Sequence, residues 1–182
     1  VTSFNGVPYT YEILTKIGLK NIKIDTLKYL THAGGKLEKN KLKEIIKFCK
    51  KNSLRFFSMY GQTEASPRIS YLKPEFSQKK IGSIGKGIPG SKIYIIDSTS
   101  KKILKPFVEG EIICEGKNVF MGYSNNYKDL KKANEENYRL KTGDLGFFDK
   151  NGFFFITSRI SKIAKIFGNR VDLGALESLM SQ

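Results

Sequence analysis

The sequence contains no tryptophan, one histidine, two cysteines and five prolines. Cys49 and Cys114 are too far apart for the close spacing of a metal site, and two cysteines do not make a disulfide framework. We therefore expect a reducing, cytoplasmic location. The longest apolar runs, such as residues 153–156, are far shorter than the roughly 18 residues of a transmembrane helix. We expect neither a membrane span nor a signal peptide, and 182 residues with 40% hydrophobic side chains favour a folded core.

Arginine is also scarce, since it supplies five of the 32 basic residues of a chain whose formal net charge is +15. A basic chain suggests nucleic-acid binding, but base and phosphate recognition relies heavily on the planar arginine side chain. The excess of Lys, Asn, Ile and Phe matches codons rich in A and T. These observations favour a solvated lysine surface over a nucleic-acid site. The alternative is a non-catalytic basic module that binds nucleic acid or an acidic partner protein.

The first part of the chain alternates between helix and strand patterns. Residues 39–51 place an apolar stripe on one helical face and lysines on the other. A shorter helix after Pro8 has Ile13, Leu14 and Ile17 at helical spacing. Strands are predicted at residues 1–4, 27–33 and 54–59.

From residue 76 the pattern changes to short strands separated by glycines, such as those at residues 93–96 and 111–114. We predict an α/β part over residues 1–75 and a β-rich, barrel-like part over residues 76–159. Residues 160–182 are predicted to be a hinge and the truncated start of a further domain. The absence of an initiator methionine suggests a piece excised from a longer protein.

Two turns that follow predicted strands in the α/β part could bind a ligand. Gly34 and Gly35 would let a flat or anionic group approach the backbone, although these glycines alone favour a plain tight turn. Residues 60–64, YGQTE, combine an aromatic ring, a hydroxyl and a carboxylate, which suit a base, a phosphate and Mg²⁺. The structural alternative for this turn is a helix start with Thr63 as its cap.

Two further turns lie in the β-rich part. Asp144 stands in the glycine-flanked turn 141–146, where it could accept the vicinal hydroxyls of a ribose or form an Asx-turn. Arg159, with Lys162, Lys165 and Arg170 after it, could neutralise phosphate or face solvent.

The order of these turns resembles the adenylate-forming superfamily, which contains acyl-CoA synthetases, peptide-synthetase adenylation domains and firefly luciferase. The signatures YGQTE at 60–64 and TGDLG at 142–146 carry the resemblance, with residues 110–123 between them and Ser158-Arg159 after them. The resemblance covers essentially the whole chain. It implies the C-terminal half of the large N-terminal domain of an AMP-binding enzyme, an α/β sheet layer followed by a distorted β-barrel, and then the start of the small C-terminal domain.

The activity implied by the resemblance is ATP-dependent activation of a small carboxylic acid. Such enzymes form an acyl-adenylate and pyrophosphate, and then pass the acyl group to the thiol of CoA or of the phosphopantetheine on an acyl-carrier protein. Thr63 would bind the α-phosphate, and Glu64 would coordinate Mg²⁺. The implied ATP/AMP-binding residues are Gly34, Gly35, Lys36, Tyr60 and Gly61 near adenine, Asp144 on the ribose, Arg159 beside it, and Arg170.

The chain departs from the family pattern near its C-terminal end. Ser158 replaces a usual glycine, and Ser161 replaces a frequent acid at the hinge. Lys165 and Arg170 occupy positions that relatives use in thioester formation. The phosphate loop is expected before Val1 and the late catalytic lysine after residue 182, so we expect the chain alone to be nearly inactive. His32 could touch substrate or pack in the core.

Overall fold

The structure is a computed structural model that describes residues 1–21, 25–131, 137–166 and 169–180. The described residues form three α-helices, α1 (Pro8–Ile17), α2 (Lys39–Lys51) and α3 (Leu173–Met180). They also form eleven strands: β1 (Ser3–Gly6), β2 (Tyr29–His32), β3 (Arg55–Tyr60), β4 (Ser70–Leu72), β5 (Ser83–Gly87), β6 (Ser91–Ile96), β7 (Gly110–Gly116), β8 (Arg139–Phe148), β9 (Phe154–Arg159), β10 (Ile163–Ile166) and β11 (Asn169–Asp172).

Nine of these strands form one mixed sheet in the order β1-β2-β3-β4-β5-β9-β8-β7-β6. The strands β1, β2 and β3 are parallel and are connected through the helices. All later neighbours in this sheet are antiparallel. Parallel strands need long crossovers whereas antiparallel strands can be joined by hairpins. The antiparallel pairing begins with β3 and β4, and the division of the chain at residue 76 stays a prediction. The mixed α/β fold that was predicted is confirmed.

The helices cover one face of the parallel strands. The predicted helix over residues 39–51 is confirmed as α2, and Leu42, Ile45, Ile46 and Cys49 are buried against β2 and β3. In α1 the expected stripe is only partly correct, because Ile13 and Ile17 are exposed. The residue that anchors α1 is Tyr11, which is fully buried and donates a hydrogen bond of 2.7 Å to the Thr31 carbonyl.

The antiparallel strands curl around a second core. Ile84 of β5 and Ile95 of β6 pack in one cluster with Ile112 and Phe154, although β5 and β6 are four places apart in the strand order. The sheet from β5 to β6 therefore curves so that its two ends approach each other, as expected for a distorted barrel. The long strand β8 lies in the middle of this part of the sheet and carries the TGDLG signature.

Residues 160–180 leave the large sheet. A short 3₁₀ turn at Ile160–Lys162 leads into the antiparallel hairpin of β10 and β11, and α3 follows. Lys162 donates to Glu177 of α3 at 2.5 Å. Of the helices in the described ranges, none is long and apolar enough to cross a membrane.

Candidate active site

A buried carboxylate, that of Asp144, lies at the centre of the candidate site. Asp144 is in the middle of β8 and is 5% exposed. Its backbone amide donates to the Thr142 hydroxyl at 3.2 Å, and that hydroxyl donates to the Ile112 carbonyl of β7 at 2.8 Å. The side chain does not form the Asx-turn considered as an alternative, since its two oxygens accept from Tyr60 and Arg159 instead.

The first partner of Asp144 is Tyr60, at the end of β3. The Tyr60 hydroxyl donates to Asp144 Oδ2 at 2.6 Å. Burial raises the pKa of this phenol strongly, and the negative charge of Asp144 raises it further. The two signature sequences are therefore in direct contact. The Tyr60 ring also packs against the cluster of Ile84, Ile95, Ile112 and Phe154 and against a second buried cluster that contains Ala65, Ile69 and Cys114.

The second partner is Arg159, the last residue of β9, which pairs with Asp144 in the sheet register. Its Nε donates to Asp144 Oδ1 at 2.8 Å, while 56% of the arginine side chain is exposed. The hydrogen bond to Asp144 raises the pKa of Arg159, and the charges of Asp144 and Glu64 add to this. The Arg159 guanidinium is therefore hydrogen-bonded to the buried carboxylate of Asp144 and also interacts electrostatically with Glu64.

Glu64 belongs to a short 3₁₀ turn, Thr63–Ala65, directly after β3. Gln62 rather than Thr63 precedes this turn, so the capping role considered for Thr63 is wrong. The Tyr123 hydroxyl donates to Glu64 Oε1, and this hydrogen bond lowers the pKa of Glu64. The Thr63 side chain is exposed beside it.

The glycines of the candidate site have packing roles of their own. Gly34 has φ +81°, and side chains at Gly34 and Gly35 would press on Val7 and Pro8 at the start of α1. A Cβ on Gly61 would lie 1.8 Å from the Pro67 carbonyl oxygen. Lys36 is exposed. These observations explain the glycines without a ligand, and their proximity to a nucleotide stays a prediction.

His32 lies at the end of β2 on the face covered by α1. It is 5% exposed, and its ring contacts the Tyr11 ring edge-on with centroids 5.9 Å apart. Within the part of the chain that the structure describes, neither ring nitrogen has a hydrogen-bond partner. Burial lowers the pKa of His32 from 6.5 to about 4, so the imidazole is neutral at pH 7 and packs as an apolar ring.

The structure thus brings Tyr60, Asp144 and Arg159 together and places Glu64 near Arg159. The backbones of Lys165 and Arg170 pair across the β10–β11 hairpin, but their side chains are outside the described part of the structure. Three residues that support this site are assigned no role of their own from the sequence: Thr142, Tyr123 and Asn118. The Asn118 side chain donates to the Ala65 and Arg68 carbonyls beside the Thr63–Ala65 turn. Gly122-Tyr123 lies in a segment that the resemblance covers, whereas a single asparagine such as Asn118 gives no signal.

Comparison with known proteins gives close similarity over much of the chain. The chain is 36% identical over 131 residues to the 2-succinylbenzoate–CoA ligase of Bacillus pumilus, and the match covers 72% of this chain and 26% of that protein. It is 32% identical to the luciferin 4-monooxygenase of Nipponoluciola cruciata over all 182 residues, and this match covers 32% of that protein. The chain therefore spans about a quarter to a third of the length of these relatives.

Solved structures show the same similarity. The o-succinylbenzoate CoA synthetase of Bacillus subtilis, in complex with the acyl-adenylate intermediate OSB-AMP, matches with a TM-score of 0.79 and 30% identity. The match covers 100% of this chain and 36% of that one. The same enzyme in complex with ATP and magnesium matches with a TM-score of 0.77 and 28% identity over 99% of this chain and 36% of that one.

The fold and the ordered signatures place the chain in the adenylate-forming superfamily. More narrowly, the sequence model of the AMP-binding enzyme family matches residues 1–124. The chain belongs to that family, and the resemblance stated from the sequence is confirmed.

Proposed function

We propose that the chain is the nucleotide-binding part of a longer, ATP-dependent acid–thiol ligase. The single observation that carries the proposal is the network in which Asp144 accepts from Tyr60 and Arg159 while Glu64 lies near the same guanidinium. This arrangement combines a buried carboxylate, a partly exposed carboxylate and a cation that is hydrogen-bonded to the buried one. A nucleotide needs such a set, because its ribose offers two donors and its phosphates carry charge.

The residues fit a nucleotide and one Mg²⁺. Asp144 would accept the ribose hydroxyls, Tyr60 would stack on adenine beside Gly34, Gly35, Lys36 and Gly61, and Arg159 would face the ribose. Glu64 would hold Mg²⁺, which takes one or two carboxylates together with phosphate oxygens. The described residues contain no cluster of three or more His, Cys, Asp or Glu that could hold a metal alone.

The proposed first reaction is attack by a substrate carboxylate oxygen on the α-phosphorus of ATP. An O–P bond forms to give acyl-AMP, and the bond between the α-phosphorus and the bridging oxygen breaks to release pyrophosphate. Bound Mg²⁺ supplies charge neutralisation on the phosphates. The Thr63 hydroxyl would donate to the α-phosphate, and Arg159, facing the ribose, would add positive charge nearby. The protein would thus contribute orientation and electrostatic stabilisation.

The proposed second reaction transfers the acyl group to the thiol of CoA or of a carrier-protein phosphopantetheine. The S–C bond forms, the C–O bond to AMP breaks, and the thiol proton is released. Lys165 and Arg170 are assigned to this half only through the resemblance. Cys49 and Cys114 are free and buried, which suits the cytoplasmic location that we propose.

Pyrophosphate exchange in the longer enzyme tests the function. A panel of carboxylates should begin with 2-succinylbenzoate, the substrate in the names of several relatives, and continue with aromatic and fatty acids. We expect exchange with at least one acid that requires both ATP and Mg²⁺. The 182-residue chain alone should give almost none. Binding of DNA or RNA by the longer enzyme without exchange over the whole panel would favour the basic-module alternative.

The residue assignments need their own variants. Glu64→Ala and Asp144→Ala should each reduce exchange about 100-fold or more, the range found when one electrostatic partner is removed. Glu44→Ala, which removes an exposed acid from α2, is the control and should exchange at the wild-type rate. Wild-type exchange in the Glu64→Ala, Asp144→Ala double variant would overturn the assignments.

A further inference from the structure

The turn that carries Thr63 and Glu64 is bound along its length by one distant segment, residues 118–123. This segment follows β7, more than fifty positions after the turn. Four hydrogen bonds join the two: two from the Asn118 side chain, one from the Phe120 amide and one from the Tyr123 hydroxyl. Neither signature sequence contains any of these donors.

Asn118 fixes the backbone of the turn. Its Nδ2 donates to the Ala65 carbonyl at 3.2 Å and to the Arg68 carbonyl at 2.9 Å. These two carbonyls flank Ser66, whose φ of +54° is a left-handed conformation that serine rarely adopts. The bridge therefore holds a backbone that would otherwise relax.

The orientation of the Asn118 amide is itself set by its surroundings. The Ser91 hydroxyl donates to Asn118 Oδ1 at 2.5 Å, which leaves the amide nitrogen pointing at the two carbonyls. Gly116 leaves the room for this arrangement, because a Cβ there would lie 2.7 Å from Asn118 Oδ1.

Glu64 is held at both ends. Its carbonyl accepts from the Phe120 amide at 2.9 Å, and its carboxylate accepts from the Tyr123 hydroxyl. The Phe120 and Tyr123 rings contact each other edge-on with centroids 4.9 Å apart. Tyr123 is 76% exposed, so its hydroxyl adds little to core packing and acts mainly on the carboxylate.

We propose that Asn118 and Tyr123 are positioning residues that orient Glu64 for the divalent cation of the nucleotide complex. The inference rests on the proposed function, in which Glu64 holds Mg²⁺. Tyr123 donates to Oε1 of Glu64, while Asn118 keeps the turn in the conformation that presents Thr63 and Glu64 together. Loss of either residue should allow Glu64 more conformations. Binding of the cation would then be weaker, although no ligand of the cation has been removed.

The test measures the cation directly. Mn²⁺ replaces Mg²⁺ and its binding is followed by electron paramagnetic resonance in the longer enzyme saturated with α,β-methylene-ATP, an analogue that cannot form the adenylate. Tyr123→Phe should weaken Mn²⁺ binding about three-fold, and Asn118→Asp about ten-fold or more, as expected for one and two lost hydrogen bonds. Tyr127→Phe, an exposed tyrosine of the same loop, and Asn40→Asp, an exposed asparagine in α2, should leave it unchanged.

Glu64→Gln distinguishes a failure of the positioning role from a failure of the proposed assignment of Glu64 to the cation. If Glu64→Gln weakens Mn²⁺ binding but Tyr123→Phe does not, the positioning role is wrong and the proposed function stands. If Glu64→Gln has no effect, the assignment of Glu64 fails and the positioning role fails with it. Tighter Mn²⁺ binding in Tyr123→Phe would also overturn the inference, since the hydroxyl would then compete with the cation. Because Tyr123 is exposed, we expect Tyr123→Phe to fold. Its Mn²⁺ binding therefore tests the positioning role even if Asn118→Asp does not fold.

Discussion

The hydroxyl of Tyr60 and the carboxylate of Asp144 are joined by a hydrogen bond of 2.6 Å although 84 positions separate the two residues. Tyr60 ends a strand of the parallel half, and Asp144 lies in the longest strand of the antiparallel half. The bond therefore links the two halves at the point where both signatures meet. Arg159 donates to the second oxygen, so the protein itself orients the carboxylate at both oxygens.

Tyr60→Phe should lower the free energy of unfolding by about 2 kcal/mol, because it removes a donor from a buried carboxylate. It should also raise the KM for ATP in the longer enzyme, since Asp144 would lose one of the two groups that orient it. Chemical denaturation and pyrophosphate exchange measure the two effects.

Tyr94→Phe is the matched control for this variant. The Tyr94 hydroxyl also donates to a carboxylate, that of Glu115, at 3.1 Å, but this pair lies on the surface. We expect a loss of less than about 1 kcal/mol there and no change in KM. Equal losses of stability in the two variants would show that burial of Asp144 does not increase the contribution of the Tyr60 hydrogen bond to the free energy of unfolding.

Arg159→Met should affect both stability and nucleotide binding. More than half of the Arg159 side chain is exposed, but its partner Asp144 is buried, so loss of this donor should lower the free energy of unfolding by about 2 kcal/mol. The KM for ATP should rise about ten-fold if the proposed charge-assisted contact to the nucleotide is lost.

Lys80→Met is the matched control, since it should affect stability alone. Lys80 Nζ lies 2.6 Å from Asp149 Oδ2 in a pair that is mostly buried and contains no residue of either signature. Its loss should lower the free energy of unfolding by about 2 kcal/mol and leave the KM for ATP unchanged. Similar effects of the two variants on KM would mean that Arg159 acts only through the fold.

The features that depend on local periodicity could be predicted from the sequence. The helix α2 shows this best, because four apolar residues at helical spacing all lie in the core. The helix α1 shows the limit, since Ile13 and Ile17 have the right spacing but are exposed. The anchor is Tyr11, whose hydroxyl finds the Thr31 carbonyl on a neighbouring strand, and such a partner cannot be inferred from spacing within the helix.

The candidate site shows a similar division. Both signatures could be recognised as short motifs, because each concentrates glycine with a carboxylate or hydroxyl. Their contact through Tyr60 and Asp144 depends on the strand order, which places β9 between β5 and β8 and is not encoded in either motif. Asn118 could not be predicted at all, since its role comes from two carbonyls fifty or more positions away.

Gly85→Ala should be among the most damaging small substitutions in the chain. Gly85 has φ +82°, and a Cβ there would lie 1.8 Å from the Tyr71 carbonyl oxygen of β4. Gly90 has nearly the same φ, +83°, with open space around it among the described residues. Gly90→Ala should thus cost about 1 kcal/mol of unfolding free energy from backbone conformation alone, and Gly85→Ala about 4 kcal/mol or more. Equal losses of unfolding free energy in the two variants, measured by urea denaturation, would contradict the close contact between Gly85 and the Tyr71 carbonyl.

His32 provides a pH-dependent contribution to stability. Burial lowers its pKa from 6.5 to about 4 in the folded chain. Between these values the unfolded chain holds a proton on His32 that the folded chain does not, so acidification favours unfolding. The contribution is fully present above pH 6.5 and is lost as the pH falls towards 4. The loss should reach about 3 kcal/mol at the lower end of this range.

His32→Phe isolates this contribution, because phenylalanine keeps the edge-on contact with Tyr11 and cannot be protonated. His32 is the only histidine, and the carboxylates that titrate in the same range are common to both proteins. We therefore expect the difference in unfolding free energy between variant and wild type, measured by chemical denaturation, to move in favour of the variant as the pH is lowered from 6.5 towards 4. Parallel curves over this range would mean that the folded protein protonates His32 as readily as the unfolded one, and the buried, neutral packing role of the imidazole would be wrong.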